Sequence, residues 1–504
     1  MLTRLKVSGF KNLVDVDVHF GPFTCIAGAN GIGKSNLFDA ITFLSALADR
    51  PLFDSALSIR DEEGRTTDLR SIFHRTGEAF DPVIQFEVEM IVPAEGFDDL
   101  GQPAHAGITF LRYTIELAYR GSDGTRSPGA LELLKEELSH ITRGEAKDHL
   151  PFPHSQAWRD SAIQGRRTSP LISTEGSGSE RVIKLHQDGV PGRPLLRAAA
   201  SLPRTVLSST NAAESPTALM ARREMQSWRL LQLEPLALRR PDQFTAPTRL
   251  GIDGSHLPAT LYHLVKGRQS GARSERLDED AVYARVANRL AELIGDVGRV
   301  WIDRDDRREL LTLMVSDREG TAHSARALSD GTMRFLALAV LELEPATQGL
   351  LCLEEPENGI HPARIPSMLK LLRDIATDTD YAVGPDNPLR QVIVNTHSPS
   401  VVRQVLDENL LVAEPREYTV DSRRFSGVRF SPLPGTWGEK VAGASVSRGM
   451  LLDYLNPDAE LEDDRRIVVL RGEHRNGRGG HKPSRVMDRL DMQQMLFRVA
   501  PEEE

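Results

Sequence analysis

The chain has 504 residues, 40% of them hydrophobic and 27% charged, with a formal net charge of −10. That length exceeds a single hydrophobic core and predicts two or three lobes. The acidic balance confines any nucleic-acid contact to a local basic face. No run approaches the ~18 apolar residues of a membrane span, and the opening MLTRLKVSGF lacks a signal peptide's apolar stretch. Cys25 and Cys352 lie in separate apolar runs and are expected to be reduced core thiols. A cytoplasmic protein with no membrane partner is the expectation.

Leu5 and Val7 begin a first strand. Val14, Val16, Val18 and Phe20 alternate with polar residues in a second. Both precede the apolar run Phe23–Ala27, so the chain is expected to start in a mixed sheet. Residues 28–36 then read GANGIGKSN, a complete G-x-x-x-x-G-K-[ST] phosphate loop, and 36–44 carry a helical pattern. Strand, glycine-rich turn and helix are the context this motif requires. Gly28, Gly31 and Gly33 let the backbone of the loop, Asn30 included, turn its N–H groups inward toward phosphate oxygens. The helix N-terminus at Asn36 adds partial positive charge. Lys34 is placed to reach the β- and γ-phosphates and Ser35 to ligate Mg²⁺, so ATP and Mg²⁺ are the expected ligands.

Residues 84–92 and 110–118 alternate again and predict an antiparallel β subdomain on this first lobe. From 125 to 205 the pattern is poor, with a strand-like run at 181–185. Helical periodicity covers 218–233 and 280–294, separated by a polar stretch at 267–280 that reads as a loop. No heptad repeat is sustained.

Order returns after Val300 with a strand at 310–315. LSDGTMRFLALA at 328–339 opens a helix, and its Ser329 reads locally as an N-cap. Gly349–Leu353 is a buried strand ending in Glu354 and Glu355; 363–377 is helical; 391–395 is a further buried strand, followed by Thr396, His397 and Ser398. Helices alternating with continuous apolar strands predict a parallel α/β sheet, with function at the strands' carboxyl ends. Paired acids at a strand end are often a solvated turn. Beside a phosphate loop they suit water-mediated Mg²⁺ binding by Glu354 and orientation of the attacking water by Glu355. His397 is placed to report the γ-phosphate.

These pieces, in this order, resemble ABC-class ATPases of the SMC/RecF type, within the AAA family ATPases. They are close to the anti-phage defence ATPases of the overcoming-lysogenization and Septu kinds. The matching segments are RLKVSGFKNL, GANGIGKSNLFDAI, LSDGTMRFLAL, LEEPENGIHP and VNTHSPSVV. The resemblance covers about residues 1–90 and 300–415. It implies an α/β P-loop NTPase head of ABC type: a mixed or parallel sheet flanked by helices, with an antiparallel β subdomain and an inserted α-helical region. The expected division is 1–120 for lobe I, 121–295 for a helical or irregular insertion, 296–415 for lobe II and 416–504 for a C-terminal extension.

The resemblance also implies head-to-tail pairing of two copies around ATP. Lys34 and Ser35 of one copy would face Ser329 and Gly331 of the other. Glu355 would be the catalytic carboxylate, Glu354 the metal-side acid, His397 the switch histidine, and the 357–361 turn would lie at the interface. Gln85 is a candidate for the glutamine that touches the metal in such heads, and otherwise an ordinary strand residue. Two departures stand out: Glu354 replaces the usual Asp, and Asp330 puts a negative charge in the signature. The acids at 458–464 lack nuclease spacing, so no fused nuclease is expected and a separate nuclease or other effector subunit is. The basic stretch 471–485 is a candidate contact for DNA or RNA.

Overall fold

The computed structural model describes residues 1–59, 68–121, 129–188, 192–267, 279–344, 349–420 and 423–447, together with 449, 451, 455 and 485–488. The polar stretch after 267, the acids at 458–464 and all of the 471–485 segment but Arg485 lie outside them.

Two large sheets organise the molecule. The first has eight strands, in the order Leu195–Ala198, Val182–Leu185, Ile172–Glu175, Ala130–His140, Phe110–Arg120, Val83–Ile91, Leu2–Ser8, Val16–His19. Every neighbouring pair is antiparallel. The two N-terminal strands therefore belong to this sheet and not, as their position suggested, to a mixed sheet with the phosphate-loop strand. Their alternating pattern fits an antiparallel sheet with one wet face. The sheet also continues past residue 120: Phe110–Arg120 pairs with Ala130–His140 along its length, and three short strands follow. Those strands, four residues each, take their conformation from ladder partners more than from local preference.

The second sheet carries the parallel core. Its order is Arg229–Leu231, Gly349–Glu354 (the acid strand), Arg390–Thr396 (the histidine strand), Phe23–Ala27 (the loop strand), Leu410–Val420 and Arg423–Pro432. The first five are parallel and the last returns antiparallel. Alternate residues of the buried strands enter opposite cores. Ile26, Cys352 and Ile393 face the antiparallel sheet, and Cys25, Leu353 and Val394 face the helices of the other layer. Cys25 and Cys352 are thus buried free thiols on opposite faces, and burial raises both pKa values.

The helix after the loop, Lys34–Leu47, lies between the two sheets. Leu37, Phe38, Phe43, Leu44 and Leu47 are all buried, which explains apolar residues around most of its circumference. Phe43 meets Phe10 and Phe86 of the antiparallel sheet at centroid distances of 5.8 and 5.9 Å. The far layer holds Glu279–Ile294, Ile365–Ile375 and Asp330–Leu343, the signature helix. The helical periodicity of 218–233 is interrupted: Pro216–Gln226 is helix, but Arg229–Leu231 is the edge strand beside the acid strand. Tertiary pairing overrides local preference there. No helix among the described residues is long and apolar enough to cross a membrane.

Candidate functional site

The loop strand delivers Gly28 at its carboxyl end, and Ala29, Asn30 and Gly31 form an exposed tip. Gly31 and Gly33 sit at φ +77° and +111°, conformations that glycine adopts without a Cβ penalty. At Gly33 a Cβ would also lie 2.1 Å from Asn12 Nδ2. Asn12 fastens the loop, donating to Ile32 O at 3.0 Å and accepting from Asn36 Nδ2 at 2.8 Å. The helix that follows has neither a side-chain cap nor an acid in its first turn, so its N-terminal N–H groups and positive pole face the loop. Lys34 is nearly buried and bends back, its Nζ donating to Gly28 O (2.5 Å) and Ala29 O (2.8 Å). Burial lowers its pKa, opposed by the charges of Glu355 and Glu357. A backbone cradle with an ammonium folded over it is fitted to a phosphate chain.

A cavity of about 340 Å³ beside the loop is lined by Ser35, Gln232, Arg334, Glu354, Glu355 and Asn395, among others. Glu355 occupies φ +44° at the end of the acid strand. Such a conformation costs a non-glycine residue on the order of 1–3 kcal/mol. Contacts on several sides hold it: its N–H donates to Asn395 Oδ1 at 3.0 Å, His397 Nδ1 lies 2.6 Å from Oε1, and Asn358 Nδ2 donates to Oε2 at 2.8 Å. Partial burial pulls the Glu355 pKa up. The bonds from Asn358 and His397, with the charges of His397 and Lys34, outweigh that and hold it below the ordinary carboxylate value. A carboxylate kept ionised and aimed by two donors can orient a water or take its proton. Ser35 and Glu354 bring a hydroxyl and a carboxylate to the same cavity, oxygen groups of the kind Mg²⁺ takes from protein directly or through its waters.

Gln85 is not part of this cluster. It lies exposed in mid-strand of the antiparallel sheet, opposite Ser8 and Glu116. The glutamine beside the metal-side acid is Gln232, whose Nε2 donates to Glu354 Oε2. It follows the edge strand Arg229–Leu231, which the sequence presents as helix, so its place at a carboxyl strand end was hidden. Asn12 and Arg334 are also not singled out by their local sequence, and Glu357 and Asn358 enter it only as part of the 357–361 turn expected at an interface. Glu357 is buried, accepts from Thr396 Oγ1, leaves Oε2 without a partner, and has a pKa raised by burial.

Ser329 and Gly331 occupy a different cavity, of about 450 Å³, shared with Gly359, His361 and Arg364. Ser329 Oγ caps the signature helix by accepting from Thr332 N at 3.2 Å. Gly331 leaves room for the Gly359 carbonyl, which would stand 2.9 Å from a Cβ there. Asp330 is ion-paired with Arg239 at 2.5 Å, so its charge does not stand alone beside the signature. Within one chain, then, Lys34, Ser35, Glu354, Glu355 and His397 converge, while Ser329 and Gly331 line a separate cavity.

A parallel sheet with a phosphate loop, two acids and a histidine at adjacent carboxyl strand ends, flanked by an antiparallel sheet, defines an ABC-type P-loop ATPase head. The chain belongs to the family described as "AAA domain, putative AbiEii toxin, Type IV TA system", whose model matches residues 23–403. Among curated proteins it is similar to the DNA replication and repair protein RecF of Phocaeicola vulgatus, 41% identical over 46 residues. That match spans 9% of this chain and only 12% of RecF. Among solved structures it is similar to an SMC head bound to the C-terminal winged-helix domain of ScpA, with 14% identity, TM-score 0.41, and coverage of 86% of this chain and 98% of that one. It is also similar to the SMC head domain of Thermotoga maritima, with 12% identity, TM-score 0.35 and coverage of 86% and 98%.

Proposed function

We propose that this protein is an ATP-hydrolysing head that pairs with a second copy around ATP and drives a separate effector. One observation carries the reading: Glu355 is held by His397 and Asn358 in the cavity that Ser35 and Glu354 line. In the proposed mechanism the backbone N–H groups of 28–33 and the Lys34 ammonium bind the phosphates, Lys34 leaving its loop carbonyls to do so. Ser35 and, through water, Glu354 would hold Mg²⁺, which would supply charge neutralisation to the phosphates. Glu355 orients the attacking water and accepts its proton, and His397 steadies Glu355 and meets the terminal phosphate. Ser329 and Gly331 of the partner complete the site from the opposite side.

The effector is a separate nuclease of the HNH kind, and the setting is anti-phage defence, as in Septu-like systems. The toxin named in the family description is compatible with that setting. A second reading, a RecF-like ATPase that binds duplex DNA in repair, has the 46-residue match in its favour. Co-purification with a nuclease subunit supports the first, and DNA-stimulated hydrolysis by the ATPase alone supports the second. The site itself is tested by Glu355→Gln. This variant keeps ATP binding, loses at least about 100-fold in turnover and accumulates as ATP-bound dimers in sedimentation. Wild-type turnover in it would remove Glu355 from the mechanism.

A further inference from the structure

Arg334 projects from the signature helix, five residues beyond Ser329, yet its side chain lines the cavity of Ser35, Glu354 and Glu355 rather than that of Ser329. One arm of its guanidinium, Nη1, donates to the carbonyl of Asn358. The amide of that same Asn358 holds Glu355. The Nε–H, by contrast, is buried with no acceptor. Glu234, Asp330, Glu357 and Glu355 all act on Arg334 electrostatically, but none takes that proton. A buried donor left unmet is costly, and a second unmet atom of opposite character, Glu357 Oε2, belongs to the same turn. The guanidinium is already partly desolvated, a state in which its bond to an anionic oxygen is strong.

We propose that Arg334 is a second phosphate-reading cation of this site. Its guanidinium donates to a terminal phosphate oxygen of the ATP held by its own chain's loop, while Nη1 keeps the Asn358 turn, and with it Glu355, in place. The proposal rests on the ATPase reading above and goes beyond it. The signature helix, whose N-terminus serves the partner's nucleotide, carries three residues on from Gly331 a side chain that serves its own. Arginine suits this position, since one planar group can brace a backbone carbonyl and still offer a donor in a fixed direction.

The test is equilibrium binding of a fluorescent ATP analogue and of the matching ADP analogue, each with Mg²⁺, to the full chain and its variants. For Arg334→Ala the expected result is ADP affinity within about twofold of wild type and ATP affinity reduced about tenfold, the scale of one charge-assisted bond. Arg334→Lys recovers part of the ATP preference and guards against a folding defect in the alanine variant. Asn358→Ala slows hydrolysis but leaves the ATP-to-ADP preference intact, because it loosens Glu355 without touching the phosphate contact. If Arg334→Ala and Arg334→Lys both keep the wild-type preference, Arg334 is only a brace and the proposal is overturned. Wild-type protein that binds neither nucleotide would overturn the ATPase reading itself, a result distinct from variants that bind both with unchanged preference.

Discussion

At the scale of single residues, conformational freedom is used where phosphate is expected and strain where chemistry is. Gly33 serves two ends at once. Its φ of +111° disfavours any other residue, and the space a Cβ would take belongs to the Asn12 amide. Gly33→Ala therefore displaces Asn12 and with it the bonds to Ile32 and Asn36 that fix the loop. We expect it to abolish nucleotide binding and to cost about 1–3 kcal/mol of stability, read as a lowered Tm. Wild-type ATP affinity in this variant would show that the loop does not need the Asn12 clamp. Glu355 is the complementary case: an L-residue at φ +44° that persists because Asn395, Asn358 and His397 hold it. The loss of Asp in favour of Glu354 is met by Gln232, which reaches the longer carboxylate from the adjacent strand.

Elements place these residues, and the buried polar groups between elements set the response to pH. Glu136 lies in the Ala130–His140 strand, fully buried, accepting from Val206 N at 2.7 Å, Leu207 N at 2.8 Å and Tyr113 Oη at 3.2 Å. Burial pushes its pKa up to about 7, despite those donors. The folded state therefore holds this proton more tightly than the unfolded chain, whose carboxyl titrates near 4.5. The stabilisation is fully present below that lower value and is lost as pH rises through about 7, an effect on the order of 3 kcal/mol. Glu136→Gln lowers stability overall, since one amide NH₂ then faces an N–H donor, but it should flatten the fall in Tm between pH 5 and 8. A variant with the wild-type slope would show that Glu136 is not the group responsible.

The same element scale explains what the sequence disclosed. The loop and its helix were legible because residues 23–44 form one contiguous strand–turn–helix unit. The acid and histidine strands were legible because a strand buried on both faces reads as an unbroken apolar run. Gln232 was not legible: three residues, Arg229–Leu231, are strand only because the acid strand offers an edge, and no local pattern announces that. Of the strands between 172 and 198 only Val182–Leu185 is legible as a strand-like run; Ile172–Glu175 and Leu195–Ala198 are short and gain their order from their ladder partners. Asp330 reads in isolation as a charge facing a phosphate, and only Arg239, 91 positions away in the chain, changes its meaning.

For the whole molecule the decisive fact is a division: one cavity holds Ser35, Glu354 and Glu355, and another holds Ser329 and Gly331. A two-fold pairing of copies would set each cavity against its complement and make two equivalent sites. The Glu357–His361 turn spans the two, with Asn358 lining one cavity and Gly359 and His361 the other. The most direct test of this sharing mixes two inactive variants, Lys34→Ala and Ser329→Arg. Each alone has no intact site. In a mixed dimer, the loop of the Ser329→Arg chain meets the signature of the Lys34→Ala chain, and one complete site is rebuilt. Random pairing makes about half of the dimers mixed with one of two sites intact, so the account predicts hydrolysis restored to about a quarter of the wild-type rate, whereas a mixture as inactive as its parts would contradict it.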